Sequence, residues 1–227
     1  MQISIITLFP QMFDSVFSYS IIRRAQKEGT ITINIVDLRH YGIGRHKIVD
    51  DKPYGGGIGM VLRVDVMDRA LAAVRQKGKS EAVALLDPKG KVYKQEIAEE
   101  FSQLEHLILV CGHYEGFDER IRSLVDYEIS MGDFILSGGE IAAMAIAESV
   151  ARLVPGVIRK ENATIHESFS EKNGSRILEH PHYTRPQVFR SKKVPEVLLS
   201  GNFELIGQFR DKKARELTKK TRPDIKT

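Results

Sequence analysis

Residues 107–139, LILVCGHYEGFDERIRSLVDYEISMGDFILSGG, place polar and glycine residues at the ends of two apolar runs. The first run ends at Cys111 and opens into Gly112, His113, Tyr114, Glu115 and Gly116. The second leads to Met131, Gly132 and Asp133. A stretch apolar at every position, as at 107–110, suits a strand covered on both faces of a parallel sheet. In such sheets small molecules bind beyond the carboxyl ends of the strands, where glycine lets backbone approach a ligand closely. These two loops are therefore the expected reaction centre.

The elements that must position them follow the chain. Residues 2–9 read as a buried strand, Pro10 as the first turn of a helix running over 11–28, Gly29 as its stop, and 31–37 as a second strand. Helices are expected over 64–77, 94–104 and 140–154, and a strand over 82–86 that ends in the turn Asp87, Pro88, Lys89, Gly90. Alternation of this kind predicts an α/β domain with a mostly parallel sheet. Between the second strand and the next helix lies a long loop, 38–60, with six glycines. Gly55, Gly56, Gly57 and Gly59 there have the spacing of a backbone nest for an anion or a base. Residues 157–185 show little periodicity, with a turn signal at Asn173 and Gly174, and read as a linker. Beyond it come a short apolar run at 194–199 and a basic helix over 203–220 that is expected to bury Leu205, Ile206, Phe209 and Leu217.

Charge is unevenly distributed. The chain of 227 residues carries a net +4, yet from Pro186 onward 11 Lys and Arg face 5 Asp and Glu, a net of +6, which leaves −2 for the rest. A basic appendage on a near-neutral body fits a polyanion partner. Cys111 stands alone, so no intramolecular disulfide forms, and with no long apolar run or basic leader a soluble protein of a reducing cytoplasm is expected.

Several chemistries fall away. Gly78, Lys79 and Ser80 end like a phosphate loop, but the leading position is Ala73 and a helix precedes. The dinucleotide fingerprint fails at Leu62 and Met60. His166, His180 and His182 have neither a second thiolate nor an i, i+4 histidine pair, so no metal site is expected. A lone cysteine after an apolar strand reads as a small buried hydrophobe rather than a nucleophile.

Five motifs in order, PYGGGIGM at 53–60, CGHYEGFDER at 111–120, MGDFILSGGE at 131–140, PHYTRP at 181–186 and VLLSGN at 197–202, resemble the bacterial tRNA (guanine-N1)-methyltransferases over nearly the whole chain. The resemblance implies a SPOUT-type fold: an α/β domain over 1–156 threaded into a deep trefoil knot, an interdomain linker over 157–185, and a small helical tRNA-binding domain over 186–227. It also implies a homodimer with active sites shared between subunits, which moves a methyl group from S-adenosylmethionine to N1 of guanosine 37 in tRNA.

By motif, the donor would lie among Leu86, Asp87 and Pro88, then Gly112, Tyr114 and Glu115, then Ser130, Met131, Gly132, Asp133, Phe134, Ile135 and Leu136 with Gly138 and Gly139. Glu115 can face the cationic end of the donor. Removing the N1 proton of guanine needs a general base, and charge building on O6 needs a positive partner. The resemblance assigns these roles to Glu167, in ESF where the family carries an aspartate, and to Arg152. His113 and Ile58 also depart from the family's arginine and proline, and residues 171–175 lengthen the linker. Lys192, Lys193, Arg210, Lys212, Lys213, Arg215, Lys219, Lys220 and Arg222 would meet tRNA phosphates. Mg2+ has been associated with the family. The competing readings are a knotted methyltransferase with another RNA target, such as a ribose 2′-hydroxyl, and a non-catalytic RNA-binding module.

Overall fold

A computed structural model of the chain describes residues 1–160, 164–165, 167–171 and 174–225. They form two compact units, Met1–Arg159 and Lys160–Thr227. His166 and Asn173, and with Asn173 half of the expected turn, lie outside the described residues.

The first unit is built on strands β1 (Gln2–Thr7) and β2 (Thr32–Asp37), the short pair β3 (Asp50–Asp51) and β4 (Val61–Leu62), then β5 (Glu81–Val92), β6 (His106–Cys111) and β7 (Tyr127–Ser130). Five of them make one sheet in the order β2-β1-β6-β5-β7, with every pairing parallel. The predicted parallel α/β sheet is what forms. All six residues of β6 are buried, because it lies mid-sheet with a hydrophobic layer on each face. Helices α3 (Gln95–Ser102) and α4 (Glu140–Ala151) supply one layer. Helix α2 (Val64–Val74) supplies the other, burying Val66, Met67, Ala70, Leu71 and Val74.

Two expectations change. No single helix covers 11–28: a 3-10 turn at Pro10–Phe13 and another at Val16–Ser18 precede α1 (Ser20–Lys27). The break falls where Tyr19 is extended and Ser20 sits at φ 56°. Ser15 to Ser20 mixes serines with β-branched and aromatic residues of low helix propensity. Phe13 and Phe17 are buried and stacked at 5.8 Å, an apolar anchor that the straight helix does not need. Gly29, at φ 71°, does end α1. Secondly, β5 does not stop at Leu86. Ile129 of β7 is opposite both Leu86 and Lys91, so Asp87 to Gly90 loop out of a strand that resumes afterwards. Gly90 closes the bulge because a Cβ there would stand 2.5 Å from the backbone nitrogen of Ile129.

The second unit carries the hairpin β8 (Val188–Phe189) and β9 (Lys192–Lys193), a 3-10 turn at Glu196–Leu199, and helix α5 (Phe203–Thr221). Asn202 caps α5, its side-chain oxygen accepting from the N–H groups of Glu204 and Leu205. The described residues between 160 and 185 fall in this unit, where the Leu178 N–H donates to Thr218 Oγ1 of α5 at 3.0 Å. The residues α5 buries are Ala214 and Thr218. Leu205 is exposed, and Ile206, Phe209 and Leu217 are half-buried, so the expected apolar face is shifted toward the helix C-terminus.

Candidate active site

A cavity of about 410 Å³ opens at the carboxyl ends of three adjacent strands, β6, β5 and β7. Its walls contain Leu86, Asp87 and Pro88 from the β5 bulge, Gly112, Tyr114 and Glu115 after β6, and Ser130, Met131, Gly132, Phe134, Ile135, Leu136, Gly138 and Gly139 after β7. All the expected donor-site residues are thus gathered except Asp133, which is exposed and does not line the cavity. Lys89, His113 and Gly116, which the sequence placed in the strand-end loops without a donor role, also line it, and the sequence reading missed Phe117, Ile129, Ser137 and Ala142. Each is within a few residues of a motif position, so adjacency to the glycines was the available signal.

The loops are held by backbone. After β6 the chain turns at Tyr114 (φ 61°) and Gly116 (φ 108°), with the Gly116 N–H donating to His113 O. The Glu115 N–H donates to Met60 O at 3.0 Å and the Leu62 N–H to Gly116 O at 2.9 Å, fastening this turn to the end of the glycine loop. Gly55, Gly56, Gly57 and Gly59 all have positive φ but do not line the cavity. Gly59 instead packs on the Glu115 side chain: a Cβ on it would be 2.6 Å from Oε1. The loop thus meets the cavity wall at Glu115 and Gly116.

The loop after β7 returns across the end of β6, where His113 and Gly138 form an antiparallel bridge and the Gly139 N–H donates to Gly112 O at 2.8 Å. Glycine is required at both positions by space. A Cβ on Gly139 would sit 2.8 Å from Cys111 Cα, and one on Gly138 would sit 2.3 Å from Glu140 Oε2 and 2.8 Å from His113 Nδ1.

Beneath this crossing lies a buried polar group. Glu140, in the first turn of α4, is 3% exposed, and its Oε1 accepts from the Thr7 hydroxyl at 2.7 Å. The Thr7 oxygen in turn accepts from the Phe9 N–H. His113 packs edge-on against Phe9 and Tyr114, and its Nδ1 is buried with no hydrogen-bond partner among the described residues. Cys111 is 2% exposed; burial, and then the Glu140 charge, push its thiol well above 9.0, so it is the buried hydrophobe expected and not a thiolate.

The cradle fits S-adenosylmethionine in kind. It offers backbone polar groups at three strand ends, side-chain-free glycines where a ligand approaches, apolar Leu86, Ile129 and Ala142 at its floor, and the Glu115 carboxylate for a cation.

The family described as tRNA (Guanine-1)-methyltransferase TrmD matches residues 1–227. The chain belongs to that family. A tRNA (guanine-N(1)-)-methyltransferase of Listeria monocytogenes is 48% identical over 228 residues, covering 99% of this chain and 91% of the relative. One of Carboxydothermus hydrogenoformans is 51% identical over 215 residues, covering 94% and 83%. One of Caldanaerobacter subterraneus is 47% identical over 221 residues, covering 97% and 90%.

For this TrmD-family chain the two expected catalytic residues fall in different units. Arg152 is half-buried and forms the C-cap of α4, with φ −66° and ψ −19°. Glu167 is half-buried in the second unit, where its carbonyl accepts from the Ser170 hydroxyl and N–H. Phe169 follows at φ 68°, with the Arg222 guanidinium 5.5 Å over its ring. Of the tail cations, Arg222 pairs with Asp224 and Lys213 with Glu216, both at 2.7 Å. Lys212, Arg215, Lys219 and Lys220 are exposed along α5.

Proposed function

We propose that this chain transfers a methyl group from S-adenosylmethionine to N1 of guanosine 37 of tRNA. The observation that carries the reading is a full-length match to a guanine-1-methylating tRNA enzyme family, with its motif loops gathered round one cavity. Bound there, S-adenosylmethionine supplies an electrophilic methyl group on a cationic sulfur. The Gly112, Gly138 and Gly139 backbone admits the donor, and Glu115, steadied by Gly59, faces its positive end. Glu167 takes the N1 proton as general base, and Arg152 balances the charge that develops on O6. Glutamate in place of aspartate keeps this chemistry with one more methylene of reach.

The finer architecture belongs to the same proposal. A trefoil knot is consistent with the 131–139 loop crossing β6 at His113 and Gly139. A homodimer is supported by apolar side chains left in solvent beside the cavity, Ile135 at 80% and Ile141 at 56%. The domain division, with residues 157–185 as linker, the exposed cations of α5 on tRNA phosphates, and a magnesium dependence complete the reading. Among the described residues no helix is long and apolar enough to cross a membrane, and a tRNA substrate supports a cytoplasmic location.

The test uses labelled S-adenosylmethionine and two tRNA transcripts that differ only in guanosine or adenosine at position 37, followed by nucleoside analysis. N1-methylguanosine from the first alone is expected. Label on a ribose or at another base transfers the fold to a different target, and absence of both label and donor binding revives the non-catalytic module.

A further inference from the structure

The sequence near His180 and His182 offers neither a second thiolate nor an i, i+4 histidine pair, but Glu179 directly precedes them. Glu179, His180 and His182 each bring one metal-ligating atom to a common place in the second unit, all three within 4.8 Å of one another. The His182 Nε2 and Glu179 Oε1 are 3.0 Å apart, and the two imidazole rings are 4.6 Å apart and tilted by 47°. Ligand atoms around an ion with bonds near 2.1 Å are separated by roughly 3.4 Å in a tetrahedron. One edge of the cluster is already at that scale, and the other two are no longer than 4.8 Å.

We propose that Glu179, His180 and His182 form a binding site for a divalent transition-metal ion of the zinc class. Two imidazoles and one carboxylate make a ligand set that zinc-type ions favour and that magnesium, which takes oxygen ligands, does not. Three protein ligands leave a fourth position open.

The backbone that carries the ligands is fixed from two sides. The Leu178 N–H donates to Thr218 Oγ1 at 3.0 Å, and Thr218 is fully buried in α5. The Glu179 N–H donates to Ser168 Oγ at 3.0 Å, and Ser168 adjoins Glu167. Pro181 restricts the chain between the two histidines. Glu179 and His180 are half-buried and His182 is exposed, so an ion can enter from solvent without unfolding the segment. Occupancy would join Glu179 to His182 through a bond much stronger than their present contact. The segment that Ser168 ties to it would then stiffen.

The experiment titrates the full-length, metal-stripped protein with Zn2+ by calorimetry at neutral pH, with and without excess Mg2+. Co2+ serves as a spectroscopic probe of nitrogen ligation. Expected are one Zn2+ per chain with a dissociation constant of about micromolar or tighter, indifference to Mg2+, and a visible Co2+ absorption band. The His180→Asn, His182→Asn double variant should weaken binding at least about tenfold. His182→Asn alone, at an exposed position, gives the same direction where the double variant is poorly folded. No binding, or equal binding by the variants, overturns the site. Hydrogen exchange over 167–182 should slow when Zn2+ is added to the wild type only, and unchanged exchange overturns the stiffening. Neither result bears on methyl transfer, which is tested separately above.

Discussion

Gly139→Ala isolates the close crossing on which the cavity depends. The native dihedrals, φ −80° and ψ −3°, are ones alanine adopts without strain, so backbone preference contributes almost nothing. The cost is steric. The new Cβ would lie 2.8 Å from both Cys111 Cα and Gly112 N, where relaxed contacts between such atoms are roughly 3.5–4 Å. Cys111 cannot yield, because β6 is buried throughout and paired on both sides by β1 and β5. The 131–139 loop and the start of α4 must move instead, by about 0.7 Å or more. Overpacking of this size costs about 1–3 kcal/mol. If the whole of it falls on the donor-competent arrangement, S-adenosylmethionine affinity drops by roughly 5- to 150-fold. If it falls on folding, the midpoint of thermal unfolding drops by roughly 2–12 °C for a chain of this size. Calorimetric titration with the donor and a thermal melt measure both. Wild-type values in both experiments would refute the claim that the two loops are locked in van der Waals contact.

The remaining expectations follow from individual environments. Gly207→Ala, inside α5 with nothing within 4 Å of the new Cβ, should raise stability by about 0.5–1 kcal/mol in a denaturant titration. Cys111 should resist a thiolate-directed reagent at pH 8 in the native protein and react at once in denaturant. Its folded pKa is raised above that of the unfolded chain, so the associated stability is present below about pH 9 and is lost as pH rises beyond it, because only the unfolded state releases the proton. Glu167→Gln should leave donor affinity near wild type and slow methyl transfer by about 10² or more in single-turnover assays, and Arg152→Ala should likewise act on rate; near-normal turnover removes either from the mechanism. The logarithm of the tRNA binding constant should fall linearly with the logarithm of salt concentration, and replacing Lys212 or Lys219 should reduce that slope by about one unit or less each.

Local pattern carried much of this molecule. The uninterrupted apolar run at 107–110 suited a strand covered on both faces, and the glycines beyond it marked where backbone would approach a ligand. Order and spacing of the five motifs named the family. Tertiary structure decided the rest. That Asp87 to Gly90 bulge out of a continuing strand depends on Ile129 accepting two partners, and β7 is distant in sequence. That 11–28 breaks into turns depends on Phe13 and Phe17 entering a core made by strands elsewhere. Glu140 reads as an ordinary first-turn helix acid, yet it lies buried against Thr7 from the other end of the chain. The ligands Glu179, His180 and His182 are neighbours in sequence, yet only the folded segment shows that their ligating atoms lie within 4.8 Å of one another. A sequence fixes period, propensity and local conformational need; which distant groups share a buried space follows only from the chain's path through three dimensions.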